Sequence, residues 1–363
     1  MPQNAKIDII TTLPNRYKSF LGSAPKKEVS PRLNIKRIKL PAHKSGMIDQ
    51  AKAFTEYGFK AAKSVRHKEY KLVFATSSRL MTAALGAFIA HRKKLPLYLD
   101  IRDIFVDTIK DTLPKKFALI AKPFLSHLEH WVVTRADKVN LVSKGFKPYF
   151  QLRYPRQNYS FFSNGIDDEF IIAGNGPEFN IENSEQLTVV YAGNIGEGQG
   201  LHIMIPELAN RLKGRAHFRI IGDGGRKAQL EKRLADRHCS NVELLPPVKR
   251  EQLLIEYQNA NILFLHLNNY KAFEKVLPSK IFEYAALGKP IWAGVAGYAA
   301  DFIHKEIDNA AVFYPCDVDQ AEQTLDQLNL GFIKRTDFIK KYARKRIMND
   351  MAADILSLIP KEK

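Results

Sequence analysis

Twelve short runs of β-branched and aromatic residues recur along the chain, each followed by a stretch with helical periodicity. This alternation restricts the fold more than any other feature. In the first half the runs fall near 6–11, 34–40, 71–75, 97–101, 138–142 and 159–163. In the second half they fall near 187–192, 217–221, 242–245, 261–265, 290–293 and 311–314. They are continuous apolar runs more than alternating ones, the pattern of parallel strands covered on both faces. Between them lie amphipathic stretches. In 201–212, Leu201, Ile205, Leu208 and Leu212 form one apolar stripe at helical spacing. Repeated strand–helix units predict an α/β protein of two Rossmann-like, doubly wound domains. The length of 363 residues agrees, at about 150 residues per domain. The polar stretch 171–186 reads as the linker. It divides the chain into a first domain over 1–170, a second over 171–340 and a helical C-terminal segment over 341–363 that is placed to pack back on the first. Open α/β sheets bind ligands at the carboxyl ends of their strands, so two of them predict an active site in the interdomain cleft.

Composition excludes several classes. With 45% hydrophobic and 26% charged residues the chain is neither disordered nor fibrous. Its longest apolar stretches, such as MTAALGAFIA at 81–90, are half of the roughly 20 residues a spanning helix needs. No signal-peptide pattern opens it, and Cys239 and Cys316 form neither a disulfide framework nor a metal-ligand spacing. A cytoplasmic location is expected. The charge is uneven: residues 1–160 hold 31 Lys+Arg against 11 Asp+Glu, and the remainder holds 25 against 27. A basic half of this kind faces a polyanion, either nucleic acid or an anionic membrane. The tract 26–44 (Lys26, Lys27, Arg32, Lys36, Arg37, Lys39, Lys44) is the main electrostatic candidate, at roughly 1 kcal/mol per basic residue near an anionic leaflet. The helical stretch 115–131, interrupted at Pro123, mixes Lys115, Lys116 and Lys122 with Phe117, Phe124 and Trp131. It is either an interfacial helix or one packed on its own sheet.

Three strand-end segments carry chemistry. GNIGEGQGL after the run 187–192 places Gly193, Gly196, Gly198 and Gly200 before a helix. It is either an anion cradle or a plain tight turn. It lacks the Lys-Ser/Thr of a P-loop and the spacing of a dinucleotide fingerprint. IGDGG at 221–225 is a second such turn, with Asp223 either facing ligand or capping locally. In VLPSKIFEYAALGKP, Pro278 or Ser279 starts a helix that Gly288 and Pro290 end. Lys280 and Glu283, three apart, share a face: a cation for a diphosphate and a carboxylate for two vicinal ribose hydroxyls, or else a surface pair.

Taken together, GNIGEGQGL, IIGDGG, the segment around Pro246–Val248 and PSKIFEYAALGKPI resemble the donor domain of the family 4 retaining glycosyltransferases of GT-B fold. DIRDIF at 100–105, VSKGF at 142–146 and SNGID at 163–167 resemble segments of its bacterial surface-polysaccharide (O-antigen and capsule) branch. The resemblance implies transfer from a nucleoside-diphosphate sugar, probable base UDP, to a polyprenyl-diphosphate-linked saccharide, at the inner face of the cytoplasmic membrane. It implies no metal, no further cofactor and no nucleic-acid partner. Glu283 would hold the ribose and Lys280 the diphosphate, with Gly193, Asn194, Gly196, Gln199, Asp223, Gly224, Val248, Leu277 and Ser279 completing the donor site. Arg102 and Asp103, after the strand at 97–101, would face acceptor phosphate and sugar as catalytic residues, or Asp103 would cap a helix. The chain departs from the family pattern at two places. The first glutamate of the two-glutamate motif falls on Lys275, with Glu274 one residue out of register, and Asn194 and Gln199 replace the basic pair of the first glycine loop.

The family also implies one further β–α unit before KIDIITTLPNRY, so the chain is expected to be an N-terminally shortened version whose neighbouring strands lose pairing. Competing readings are a UDP-sugar 2-epimerase of similar fold, a truncated homologue that only binds nucleotide, and a basic nucleic-acid-binding protein, which would not need the glycine loops. Asp317 and Asp319 are expected to cap a helix rather than bind metal, Asp167–Glu169 to cap or turn, and His127 and His130 to be structural.

Overall fold

The computed structural model describes residues 5–14, 24–40, 47–77, 79–104, 106, 115–175 and 186–360. It divides into two compact units. The first comprises 1–142, 148–162 and 349–363, and the second 143–147 and 163–348.

In the first unit, β1 (Ile7–Thr12), β2 (Lys27–Val29) and β3 (Leu33–Ile38) form a sheet in the order β1-β3-β2. β4 (Val73–Ser77), β5 (Leu97–Ile101), β6 (Lys138–Leu141) and β7 (Tyr159–Ser160) form a second sheet in sequence order. All pairings are parallel except β2 with β3. β2 is an element that periodicity misses, because its three residues KEV are all exposed. Helices α1 (Met47–Val65), α2 (Leu80–Lys93), α3 (Lys115–Arg135) and α4 (Lys147–Arg153) connect the strands. The expected break at Pro123 does not occur. α3 runs through it: proline removes one hydrogen bond without ending the helix. β5 is buried at every position, as its apolar run predicts. Asp8 ties β1 down by accepting from Asn34 (3.1 Å), Lys68 (2.5 Å) and Tyr70 (2.7 Å). Among the described residues β1 and β4 each have a strand neighbour on one side only.

The second unit is built on a six-stranded parallel sheet in the order β10-β9-β8-β11-β12-β13. Its strands are β8 (Leu187–Asn194), β9 (Ala216–Asp223), β10 (Val242–Leu245), β11 (Ile262–His266), β12 (Ile291–Gly294) and β13 (Ala310–Phe313). Its helices are α5 (Asp168–Gly174), α6 (Leu201–Arg211), α7 (Lys227–Asp236), α8 (Arg250–Gln258), α9 (Lys280–Ala286), α10 (Tyr298–Glu306), α11 (Val318–Leu325) and α12 (Thr336–Tyr342). Alternate strand residues feed two cores, one on each face. Val190, Leu263, Leu265, Ile291 and Ala293 join the side chains of α9 and α10. Val189, Tyr191, Ile262, Phe264 and Trp292 join those of α6, α7 and α11. Double coverage explains why these strands read as continuous apolar runs.

The unit boundary differs from the expected one. Residues 163–170 pack with the second unit, because Phe170 and Ile166 are fully buried in its core. Most of the expected linker, 176–185, lies outside the described residues. The last helix, α13 (Arg344–Leu356), begins in the second unit and ends in the first, where Asp354 accepts from the Tyr98 hydroxyl (2.8 Å) and pairs with Lys138.

Candidate donor-binding site

Near the end of β8 the Gly193 carbonyl runs against Gly222, its paired residue in β9. A Cβ on Gly222 would lie 1.9 Å from the Gly193 oxygen. A Cβ on Gly224 would lie 2.5 Å from the Ile195 carbonyl oxygen, so the two glycine loops interlock backbone to backbone. Ile195 N–H donates to Asp223 O (2.9 Å). The Asp223 carboxylate accepts from Gly224 N–H (2.8 Å), a local turn contact. Past Gly196 the chain makes a 3-10 turn over Glu197–Gln199 and enters α6 through Gly200, at φ 61°. The Asn194 side chain donates to that of Gln199 (2.7 Å), so the two polar replacements hold each other.

Lys280, at the first position of α9, reaches this loop from 87 residues away. A Cβ on Gly193 would sit 2.9 Å from its Nζ, and Nζ lies 6.0 Å from the centre of the Tyr191 ring. Burial lowers the Lys280 pKa, with Glu283 opposing the shift. Burial also raises that of Glu283, against the nearby positive charges of Lys280 and Arg250. Neither side chain has a hydrogen-bonded or ion-paired partner among the described residues. α9 starts at Ser279, whose exposed hydroxyl makes no capping bond, and stops at Gly288, at φ 71° against the Phe332 ring. Leu277 is buried in the core and Val248 packs on its edge, so both shape the site through packing. The flanking ion pairs were not apparent from sequence. Asp167 stands at the N-cap position of α5 and its carbonyl closes the expected turn, accepting from Phe170 N–H (3.0 Å), but its side chain makes no capping bond; it pairs with Arg344 and with Arg250 (2.9 Å), and Arg250 also pairs with Glu169 (2.6 Å). Asp317 does cap α11, accepting from Gln320 N–H (2.9 Å).

The out-of-register Glu274 lies in a 3-10 turn over Lys271–Lys275. It is exposed on the rim of a small depression lined also by Asn268, Asn269, Tyr270 and Phe273.

In the first unit, Arg102 is engaged where an acceptor phosphate was expected. Its Nε donates to Asp100 (2.9 Å) and to the Thr76 hydroxyl (3.1 Å). Asp100, fully buried in β5, also accepts from Thr76 (2.8 Å) and Asn140 (2.7 Å). Asp103 follows, and burial raises its pKa to about 6 despite the neighbouring Arg102. The segment it would cap lies mostly outside the described residues.

The family model described as glycosyl transferases group 1 matches residues 172–346, which span both glycine loops and α9. That segment belongs to the group 1 glycosyltransferases. The family read from the motifs is thereby borne out. The putative colanic acid biosynthesis glycosyl transferase WcaI of Escherichia coli (strain K12) is 36% identical over 103 residues, covering 28% of this chain and 24% of that protein. The match therefore spans about a quarter of its curated relative's length. Among solved structures, sucrose-phosphate synthase from Thermosynechococcus elongatus superposes with a TM-score of 0.70 at 14% identity, over 97% of this chain and 88% of the other. Anabaena HepE, in complex with UDP and glucose, does so with a TM-score of 0.65 at 14% identity, over 90% and 87%. These likenesses establish the fold: two α/β units of GT-B type, as the strand pattern predicts.

Within the group 1 domain, sequence reasoning overlooked His266 and Asn268. Both follow an apolar run, ILFL, that reads as core, and only the packed fold shows what they touch.

Proposed function

We propose that this protein is a glycosyltransferase that moves a sugar from a nucleoside-diphosphate sugar, UDP-linked, to a lipid-linked saccharide with retention of configuration, in the assembly of a cell-surface polysaccharide. One observation carries the donor half of this reading. Lys280, against Gly193, and Glu283, one turn further along α9, are half-buried ionisable groups with no hydrogen-bonded or ion-paired protein partner among the described residues. Burial without pairing is costly, and a nucleoside diphosphate relieves it. The diphosphate pairs with Lys280, and ribose hydroxyls donate to Glu283. The group 1 match and the likeness to WcaI, a putative glycosyl transferase of colanic acid biosynthesis, support the chemistry, and the UDP held by HepE supports UDP as the donor nucleotide. In the reaction the bond from the anomeric carbon to the diphosphate breaks, the bond to the acceptor oxygen forms, and the acceptor proton passes to the departing phosphate. The protein's part is to hold the reactants and stabilise that leaving charge. Asp103 orients sugar or acceptor, and no metal takes part. The enzyme works in the cytoplasm against the inner membrane face, through its basic half. Among the described residues no helix is long and apolar enough to cross a membrane.

The test is calorimetric titration of the full chain with UDP, GDP and UDP-sugars, beside Glu283→Ala. One diphosphate should bind in the micromolar range, about −8 kcal/mol, and the variant should lose it. A folded chain that binds none of them rejects the donor site.

A further inference from the structure

The first glycine loop is held from behind by residues outside the motifs read from the sequence. Its 3-10 turn presents three successive carbonyls to the end of β11 and the residues just after it. Glu197 O accepts from the Asn268 side chain (2.8 Å), Gly198 O from the Asn268 backbone N–H (2.9 Å), and Gln199 O from His266 Nδ1 (2.7 Å). We propose that His266 and Asn268 are positioning residues for the phosphate-facing loop: with the Gln199 and Gly200 N–H groups bonded inside the turn, to Gly196 O and Glu197 O (3.2 Å each), they fix the peptide planes of Glu197–Gln199 so that Gly198 N–H stays directed toward the donor. The inference rests on the donor site proposed above and extends it to side chains that do not themselves meet the ligand.

Peptide planarity supplies the link. In a trans peptide the carbonyl and the next N–H point in opposite directions. Turning Glu197 O toward Asn268 therefore turns Gly198 N–H away from it. The imidazole is locked as a one-proton bridge. Its Nε2 accepts from Cys316 N–H (3.0 Å), which can only donate, so Nδ1 must carry the proton given to Gln199. The ring is fully buried in a triangle with Phe264 (6.1 Å) and Phe313 (6.0 Å), and Gly294 leaves room for it: a Cβ there would lie 2.2 Å from His266 Cδ2. Burial holds the imidazole pKa down to about 4, which keeps the bridge neutral. Glu197 braces the turn's other side, accepting from the Tyr270 hydroxyl and pairing with Arg226 (2.5 Å).

His266→Phe keeps the ring and its stack but deletes both hydrogen bonds, while His266→Gln keeps one donor and one acceptor. Amide hydrogen exchange of the unliganded full chain should speed up about tenfold at residues 196–200 in His266→Phe, with the β8 and β9 cores unchanged. UDP affinity should fall about tenfold, and His266→Gln should restore most of both. Two results overturn the proposal: unchanged loop exchange in folded His266→Phe, or a rise spread evenly through the sheet, as a merely structural residue would give. If His266→Phe does not fold, Asn268→Asp makes the same test by losing the donor to Glu197 O, and unchanged exchange there is equally decisive. Failure of the parent chain to bind any nucleoside diphosphate rejects the donor site, and the exchange measurement still decides whether these residues hold the loop.

Discussion

Lys280 and Glu283 carry most of what can be tested at single residues. Burial makes each less willing to be charged, and their mutual attraction opposes that only in part, with no hydrogen-bonded or ion-paired partner for either among the described residues. A bound diphosphate favours the ammonium, so UDP affinity should fall as pH rises through the depressed pKa of Lys280, and binding at pH values where the free Lys280 is partly neutral should be accompanied by proton uptake. Titrations in buffers of different ionisation enthalpy measure that uptake. Lys280→Met should weaken UDP by about ten- to a hundredfold, the loss of a charge-assisted contact, and abolish the pH dependence. Asp103 makes a separate prediction. Its pKa is raised by burial to about 6, so if its carboxylate orients a reactant, turnover should rise with pH around 6, and Asp103→Asn should be slow and flat there. For stability the sign is opposite: a raised carboxyl pKa favours the folded state at low pH and loses that contribution as pH rises through about 6. The helix that carries Lys280 and Glu283 was legible in the sequence because Pro278 and Ser279 mark its start and Gly288 its end. His266, Asn268 and the Arg250–Asp167–Arg344 cluster were not, because a lone polar residue after an apolar run, or an arginine 83 residues from its partner, signals nothing until the fold brings them together.

Elements were easier to read than residues. Every one of the twelve apolar runs contains a strand; in β5, β11 and β12 burial on both faces demands an unbroken apolar sequence, while β1 is read from its β-branched residues although none of it is fully buried, and the missed β2 has no buried face to leave a signature. The loops between them depend on backbone approach, which glycine spacing only hints at. Gly222 and Gly214 separate the two effects. Both have positive φ, 152° and 83°, but an added Cβ at Gly222 meets the Gly193 carbonyl at 1.9 Å, whereas at Gly214 it meets nothing within 4 Å. Gly214→Ala should cost only its backbone conformation, about 1 kcal/mol. Gly222→Ala must also push the paired ends of β8 and β9 apart and should cost about 3 kcal/mol or more, with UDP binding lost. Thermal melts of the two variants check this; equal destabilisation would mean that the close approach of the two strand ends costs nothing to open.

At the scale of the whole molecule, charge is the property most open to misreading from sequence. The first 160 residues carry a net +20 by count, but a count treats every cation as free. Within the basic tract, Arg37 pairs with Glu28 (2.5 Å) and donates to Pro25 O (2.9 Å), and Lys36 donates to Ser64 (2.7 Å), while Lys44 lies outside the described residues. Lys26, Lys27 and Lys39 are exposed and remain the tract's best surface charges. If the basic half meets an anionic leaflet, the full chain should co-sediment with vesicles containing anionic lipid and not with neutral ones. Salt should release it as the screening length contracts from about 10 Å at 0.1 M to about 3 Å at 1 M. Reversing Lys26, Lys27 and Lys39 to Glu should weaken vesicle binding by roughly a hundredfold. UDP affinity should be unchanged, because the proposed donor residues belong to the other unit. Binding to neutral and anionic vesicles alike would assign the contact to apolar residues instead, and undiminished binding by the triple variant would move it away from this tract.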